Sequence, residues 1–516
     1  MTTFAIAGLL LACFAAVFNW RAGLILCVIV ALAQDPARKL APGSPVYFVV
    51  FVGFVFAAAW LGAWINSVKL GPQVIHGWRQ QLQTPAILFL GLLAVQALHS
   101  MARWENPMLP AIGLIFYLAP VLAVVFAHQF AIRAGTTGIR MFLWFYVGAS
   151  LLWFLSILAE TNGVSSRMLG EVGVGQIIYS YGLNRKAASG FYRASEIAAW
   201  HIAMVSCCMF ILLNGRKLSL FKSCAVAVAV LFLLYVGFAT GRRKMLVYVV
   251  IFGGVYLCLF AWFLRGKARL AVFGLIACVV MSGAYLGIVP EGSDSVADNA
   301  TSTLGKRDVQ AAWTARALTV FADIPERFHL LAYRPIEWAV DRYGWFGAGL
   351  GSAAQGAQHF GGGGMKFGGA GEGGLGKITM DLGVPGVFLF LLLIVTVARQ
   401  MWSRLQALSR GSRAHATMAF GFVALLVANV AGFSVATQVY GDVFVLLILG
   451  WSVGFVLALP TVAYQEKLRA AALPAAAVGS IPLRHPVPQA SASEPRSRPV
   501  PVSVVAGAVV PPRGSM

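Results

Sequence analysis

The chain has 516 residues, of which 59% are hydrophobic and 11% charged, whereas soluble globular domains carry about 25% charged residues. Apolar runs of about 20 residues, the length at which a helix crosses a bilayer, recur along most of the sequence. The formal net charge is +21, but the basic residues are scattered between apolar runs and form no continuous soluble face for nucleic acid. The composition therefore indicates one polytopic membrane domain and argues against a nucleic-acid partner.

The first apolar stretch, residues 4–33, is interrupted only by Asn19-Trp20-Arg21, which predicts one long span or two short spans around a turn. No basic segment precedes this stretch, so we expect no cleavable signal peptide. Eleven further predicted spans follow it: 46–65, 85–98, 110–126, 141–159, 195–213, 223–240, 244–264, 270–287, 378–397, 416–436 and 440–464. The expected fold class is an all-α polytopic membrane protein with twelve or thirteen transmembrane helices.

The orientation follows from the distribution of Lys and Arg, which favour the cytoplasmic side of short loops. With a cytoplasmic C-terminus, the inner loops hold 14 of these residues and the short outer loops six. Two outer segments are long, 160–194 and 290–376, and helical periodicity over 306–341 predicts structure within the second. We therefore predict a membrane domain over residues 1–464 and, because Pro and Ala dominate the remainder, a disordered cytoplasmic tail over 465–516.

The seven cysteines all lie inside apolar runs, without the spacing of a zinc site or of a disulfide framework in a polar loop. The sequence therefore predicts no metal site.

A basic cluster lies on the side of the membrane that the charge bias disfavours. It occupies the tight outer turn Thr240-Gly-Arg242-Arg243-Lys244. Arginine presents a planar fork of donors suited to phosphate oxygens, and partial burial strengthens such contacts. The cluster is a candidate diphosphate site. The alternative is that these side chains extend to lipid headgroups, as is common at helix ends.

A second candidate begins the predicted span 195–213, where Arg193 precedes Glu196 and His201. Ionisable residues at membrane depth usually face a cavity or one another and mark functional sites. A structural ion pair between Arg193 and Glu196, three positions apart on one helix, is an equal alternative. For His201 we expect an ordinary buried histidine with a hydrogen-bond partner.

A third candidate is the glycine-rich stretch 344–376, which contains 15 glycines. It follows no predicted strand and opens no βαβ unit, which excludes a nucleotide-binding loop. The stretch holds His359 and Glu372, and Asp381 follows. For Asp381 we expect a packing or capping contact.

These residues carry a resemblance to a known family. Gly347-x-Gly349-x-Gly351, a variable loop with His359, and Glu372 followed nine residues later by Asp381-Leu-Gly-Val-Pro-Gly resemble the signature of the O-antigen ligase and Wzy-type polysaccharide polymerase superfamily. The turn at 240–243 and the large outer loop also fit that family. The likeness covers residues 191–386 and departs from the commoner pattern in having Gly, not Asn, after Glu372.

The resemblance implies a multi-pass glycosyltransferase of the bacterial inner membrane with its active site facing the periplasm. Its donor would be a glycan on undecaprenyl diphosphate, so neither nucleotide sugar nor cofactor is needed. By the resemblance, Arg242, Arg243 and Arg193 would hold the diphosphate. Lys377, five residues after Glu372, would either supplement that site or anchor the next span. Fixed guanidinium groups would stabilise the charge that develops on the leaving diphosphate. The acceptor hydroxyl needs a base, for which His359 and Glu372 are the candidates.

Within this family we favour a polymerase of O-antigen or exopolysaccharide repeat units over a ligase, because Glu372 and the acidic residue downstream fit that branch better. A flippase or transporter of lipid-linked sugars is the competing class. Transporters place ionisable groups near the midplane, on broken helices of paired repeats, whereas the candidates here are predicted at the outer boundary. A scaffold within an envelope polysaccharide machine stays a third hypothesis. Besides membrane lipid, a chain-length regulator or export machinery is a candidate partner.

Overall fold

The computed structural model describes part of the chain, given by these ranges: 2–75, 77–172, 177–180, 183–214, 219–242, 244–263, 329–354, 357 and 373–478. The predicted span 270–287 lies outside the described residues, and so do three candidate site residues, Arg243, His359 and Glu372.

The regular secondary structure in the described part of the chain is helical, apart from one short β-hairpin. Its helices are α1 (Thr2–Phe18), α2 (Gly23–Leu40), α3 (Phe51–Ile65), α4 (Gln83–Trp104), α5 (Met108–Thr161), α6 (Ser195–Leu213), α7 (Leu220–Ala239), α8 (Lys244–Phe263), α9 (Arg334–Tyr343), α10 (Gly374–Gly411), α11 (Arg413–Val435) and α12 (Val443–Val478). The hairpin pairs β1 (Ile177–Ser180) with β2 (Leu183–Lys186) in antiparallel register. It lies in the outer segment 160–194 and is an exception to the predicted all-α fold.

Eight helical segments in the described part are long and apolar enough to cross a membrane, and two shorter apolar helices, Thr2–Phe18 and Val247–Phe263, accompany them. The chain is thus a multi-pass helical membrane protein. Helices α1 and α2 are separate, as in the two-helix alternative, and the backbone N–H of Ala22 donates to the Asn19 side chain in the turn between them.

The 54-residue helix α5 contains two predicted spans and reverses direction inside its length. Gly135 has φ +67°, outside the helical region, and glycine adopts this conformation without steric cost. The Phe455 ring of α12 lies 6.3 Å from the Phe130 ring and 6.0 Å from the Phe142 ring. Residues twelve positions apart on a straight helix would be about 18 Å apart, so the two halves of α5 form a hairpin.

Two helices form the centre of the structure. The apolar segments of α6 and α12 are each 78% buried, whereas that of α7 is only 17% buried. A helix that is apolar on all sides belongs in a protein interior or in lipid. Trp200 of α6 and Trp451 of α12 are among the largest fully buried side chains. The peripheral helices thus pack around α6 and α12, while most of the α7 surface is exposed.

Two helices extend beyond their predicted bounds. Helix α12 continues to Val478, past residue 464, where we predicted the disordered tail to begin. By contacts the chain divides into units 1–467 and 468–516, and the described part of the second unit is the end of this helix. Helix α10 begins at Gly374, before the predicted span 378–397, and is interrupted at Gly383, where φ is +72°.

Candidate active site

At the predicted outer side, Arg193 joins the ends of two distant helices. Its Nη1 lies 2.6 Å from Asp442 Oδ2 and 3.3 Å from Asp35 Oδ1. Its backbone N–H also donates to Asp35 Oδ2, at 3.0 Å. All three side chains are at most 10% exposed. We call these three residues the arginine triad.

The arginine triad differs from the ion pair that the sequence offered as an alternative. Glu196 pairs with Arg242, and Arg193 pairs with the two aspartates. Burial alone would lower the pKa of Arg193, but the charges of Asp442 and Asp35 outweigh it and raise that pKa above its usual value. The Arg193 guanidinium is therefore a permanent cation committed to two carboxylates.

The segment that carries Arg193 is held by side chains on both sides. Glu160 Oε2 accepts the backbone N–H groups of Ser189 and Gly190, at 3.0 and 2.7 Å. Lys39 Nζ donates to the carbonyl oxygens of Gly190 and Tyr192, at 2.8 and 2.6 Å. Because buried backbone groups need partners, these bonds fix a non-helical segment, residues 187–194, which we call the outer strap.

The outer strap passes close to α5 at Gly190. Its φ is +57°, and a Cβ there would meet the Ser156 hydroxyl and lie 2.8 Å from the backbone nitrogen of Ile157. Ser156 Oγ itself accepts the backbone N–H of Phe191, at 2.9 Å. Only glycine fits this backbone conformation and this space.

Arg242 lies beside the start of α6. Its Nη2 is 2.8 Å from Glu196 Oε1, and its Nε donates to Ser195 Oγ, also at 2.8 Å. The Glu171 side chain accepts the Ser195 N–H at 2.6 Å. Burial raises the pKa of Glu171 above its usual value. The Arg242 side chain is 22% exposed, so its guanidinium is fixed in position and is still reachable from outside.

The first two residues of the turn, Thr240 and Gly241, set its backbone conformation. Thr240 is buried and donates its hydroxyl to the carbonyl of Gly237 at 2.7 Å, while the N–H of Arg242 approaches the same hydroxyl at 3.4 Å. Gly241 has φ +65°. A buried hydroxyl followed by a glycine thus ends α7 and places Arg242 against α6.

Lys377 and Asp381 lie one helical turn apart on α10 and are both buried. Asp381 accepts the backbone N–H of Ala353 at 2.8 Å and the hydroxyl of Tyr117 at 3.1 Å. The Lys377 ammonium lies 5.1 Å from the ring centre of Phe116. The expected packing or capping role of Asp381 is confirmed, and Lys377 is placed in the interior between α5 and α10.

The glycine loop, residues 344–354, is shaped by close contact with helices. A Cβ on Gly349 would lie 2.8 Å from the Cα of Ser100, and one on Gly351 would overlap the carbonyl oxygen of Leu109. Both glycines have positive φ, +102° and +85°. Gln96, fully buried in α4, donates to the carbonyl of Phe346 at 2.9 Å. These glycines thus let the loop pack against the outer ends of α4 and α5.

The structure separates the predicted site residues into two groups. Arg193 and Arg242 both adjoin the outer end of α6, whereas Lys377 lies on α10 beneath the glycine loop. His201, one turn inside α6, is a buried histidine whose Nδ1 is 2.8 Å from the Tyr146 hydroxyl, as expected.

Sequence reasoning missed the carboxylates that position the arginines. Asp35, Asp442, Glu160 and Glu171 were not candidates. Their signal was scarcity, since only 18 acidic residues occur in 516. Asp35, Glu160 and Asp442 lie close to the ends of predicted spans, and Glu171 lies in the segment 160–194. Within the described ranges, no three His, Cys, Asp or Glu side chains are grouped as metal ligands.

Comparison with known proteins adds no family assignment, because no family model and no curated protein sequence matches the chain. The resemblance in the glycine-rich region therefore stays a prediction that rests on the quoted residues.

Proposed function

We propose that this protein is a membrane glycosyltransferase that polymerises undecaprenyl-diphosphate-linked glycan repeat units, of O-antigen or exopolysaccharide type, at the periplasmic face of the bacterial inner membrane. The proposal includes a topology of twelve or thirteen spans, one of which is the predicted span 270–287. It also includes a cytoplasmic C-terminus. The Arg242 site supports it best. A guanidinium held between Ser195 and Glu196, partly exposed at the end of α6, suits a diphosphate at the membrane surface.

The proposed reaction is a substitution at the anomeric carbon of the donor sugar. The acceptor hydroxyl oxygen forms the new glycosidic bond, and the bond between that carbon and the diphosphate oxygen breaks. The electron pair leaves with the diphosphate, whose added charge Arg242 and Arg243 would stabilise. The hydroxyl proton passes to a base, for which His359 and Glu372 stay the candidates.

Arg193 takes a different part in this proposal from Arg242. Its guanidinium is occupied by Asp35 and Asp442, so its contribution to the diphosphate site is to hold the outer strap and the end of α6 in place. Lys377 lies deeper, and a contact with the diphosphate would require the substrate to reach the helix below the glycine loop. Lys377 therefore stays a diphosphate-binding candidate, and Arg193 is proposed to act on that site through the outer strap.

A ligase that transfers glycan to another acceptor would use the same donor chemistry and is the nearest alternative. A flippase or transporter is less favoured, since the buried charges of the arginine triad lie at helix ends and not at the middle of spans.

The test is a glycolipid profile of cells that produce Arg242→Ala in place of the native chain. We expect loss of polymer, accumulation of single lipid-linked repeat units on the periplasmic side, and unchanged protein abundance in the membrane. Arg167→Ala is the matched control, because Arg167 is an exposed arginine in a different predicted outer segment, residues 160–194. Normal polymer length in Arg242→Ala would contradict the proposed site.

The same profile separates the alternatives. Long polymer that stays on the lipid carrier would indicate a ligase. Repeat units trapped on the cytoplasmic side would indicate a flippase.

A further inference from the structure

A second group of arginines lies on the predicted outer side, away from Arg242. Arg103 ends α4, and its Cζ is 5.3 Å from the ring centres of both Trp104 and Tyr343. Arg342, in the last turn of α9, has its Cζ 5.5 Å from the Trp338 ring and 5.9 Å from the Tyr343 ring. Both guanidinium groups contact the same tyrosine, so they lie within about 11 Å of each other. We call these five residues the outer arginine patch.

The two arginines of the patch carry charge that is not neutralised within the described part of the chain. No carboxylate there lies within ion-pair distance of Arg103 or Arg342, and both residues are exposed. One N–H of Arg103 donates to the carbonyl of Gly347 at 3.3 Å. A guanidinium stacked on a ring keeps the N–H groups at its edge available. The patch therefore offers two cations, at most about 11 Å apart, to an anion with more than one negative charge.

Apolar surface adjoins the patch. Trp345 and Phe346, which immediately precede Gly347, are 68% and 60% exposed. The carbonyl of Phe346 accepts from Gln96, which lies two turns before the outer end of α4. The backbone of Phe346 thus lies against α4, and the two exposed rings form apolar surface beside the arginines. A cationic rim next to exposed aromatic rings suits an amphiphile with an anionic headgroup and a long hydrocarbon chain.

We propose that the outer arginine patch binds the diphosphate of a second polyprenyl-linked glycan, whose hydrocarbon chain lies against Trp345 and Phe346. This inference rests on the proposed polymerase function, because polymerisation joins two lipid-linked glycans and so brings two diphosphates to one enzyme. The Arg242 site is built from other elements, since its contacts are to α6 and the outer segment before it. Two guanidinium groups match a diphosphate better than the single phosphate of a glycerophospholipid.

The experiment is native mass spectrometry of the full-length protein in detergent, titrated with undecaprenyl diphosphate. We expect two bound copies on the wild type, one on Arg242→Ala, one on the Arg103→Ala/Arg342→Ala double variant, and none on the triple variant. Arg334→Ala, an exposed arginine at the start of α9, is the matched control and should keep both copies. Thermal stability of each variant establishes that it is folded.

A single variant keeps the test valid if the double variant does not fold. Arg342→Ala, at an exposed position, should weaken binding of the second copy by about tenfold or more, the effect of losing a charged hydrogen bond. Binding of the first copy should not change.

Three results would overturn the inference. A single copy on the wild type that only Arg242→Ala removes would contradict the patch and leave the proposed function standing. Displacement of the second copy by an equal concentration of phosphatidylglycerol would show a site for general membrane lipid. No binding to the wild type at all would count against the proposed function itself, and against the patch with it.

Discussion

Arg193 is a buried cation whose charge is compensated from two directions. Removing a buried charge leaves its partner charges unpaired. Breaking one buried ion pair in this way lowers the free energy of unfolding by about 3–5 kcal/mol. The partners of Arg193 are Asp35 and Asp442, each at most 5% exposed. The arginine triad therefore links the ends of α2 and α12 through the outer strap.

We expect Arg193→Ala to lower the abundance of the protein in the membrane and its melting temperature in detergent. Arg193→Ala combined with Asp442→Asn should be less destabilised than Arg193→Ala alone, because one unpaired carboxylate is removed with its partner. A double-mutant cycle on melting temperature measures this coupling. Independent, additive effects of the two substitutions would show that the contact contributes little.

Lys39 gives the outer strap a dependence on pH. Burial lowers the pKa of Lys39 from 10.5 to about 8, against the opposing charges of Asp35, Glu160 and Glu171. The unfolded chain therefore binds the proton more tightly than the folded one, and the folded state gains stability as the pH rises from about 8 towards 10.5. This gain in stability is lost as the pH falls to about 8, the pKa of Lys39 in the folded protein.

The measurement is the melting temperature of the wild type and Lys39→Arg in detergent between pH 7.5 and 9.5. The difference in favour of the wild type should grow over this range, since an arginine at this position stays protonated. Parallel curves for the two proteins would contradict the pKa of Lys39 given above.

At the scale of elements, the glycine loop shows how a sequence signature can originate in packing. Each glycine of the Gly347-x-Gly349-x-Gly351 pattern has positive φ and meets the backbone of α4, α5 or α10. The loop carbonyls receive donors from α4, with Trp104 Nε1 bonded to the carbonyl of Ala348 at 2.8 Å. The pattern thus lets the loop pack against residues 379–383 of α10 as well as against α4 and α5.

Gly349→Ala should strongly reduce the folded population, because the added Cβ would lie within 2.9 Å of three atoms of Ser100 and the positive φ disfavours any side chain. Gly91→Ala is the matched control in α4, where a Cβ meets no atom within 4 Å. It should be neutral or slightly stabilising. Membrane abundance and fluorescence-detected gel filtration compare the two variants, and equal behaviour would refute the packing explanation.

At the scale of the whole molecule, the orientation rests on the Lys and Arg bias, and two matched positions test it. Asn66 and Asn162 each follow the last residue of a helix, α3 and α5, and both are exposed. In a variant without its native cysteines, Asn162→Cys should react with an impermeant thiol reagent in cells whose outer membrane is permeabilised. Asn66→Cys should react only after lysis. The opposite pattern would invert the predicted topology.

Hydropathy located most of the membrane helices, because the transfer of about 20 apolar residues into lipid is a local property of the chain. The predicted spans 46–65 and 195–213 coincide with the observed apolar segments. Breaks were harder to predict, as at Gly135 and Gly383, where the helix assignment continues through a glycine with positive φ. A glycine permits such a conformation, but the neighbouring helices select it.

The sequence by itself determined that the chain is a helical membrane protein with a basic turn at residues 240–244, since composition and local charge suffice for both. Only the tertiary structure decided which charges meet. Arg193 is bound to residues 158 and 249 positions away, and Arg242 to a residue 47 positions away. The energy of a buried ion pair depends on distance and desolvation, and both are fixed by how the helices pack.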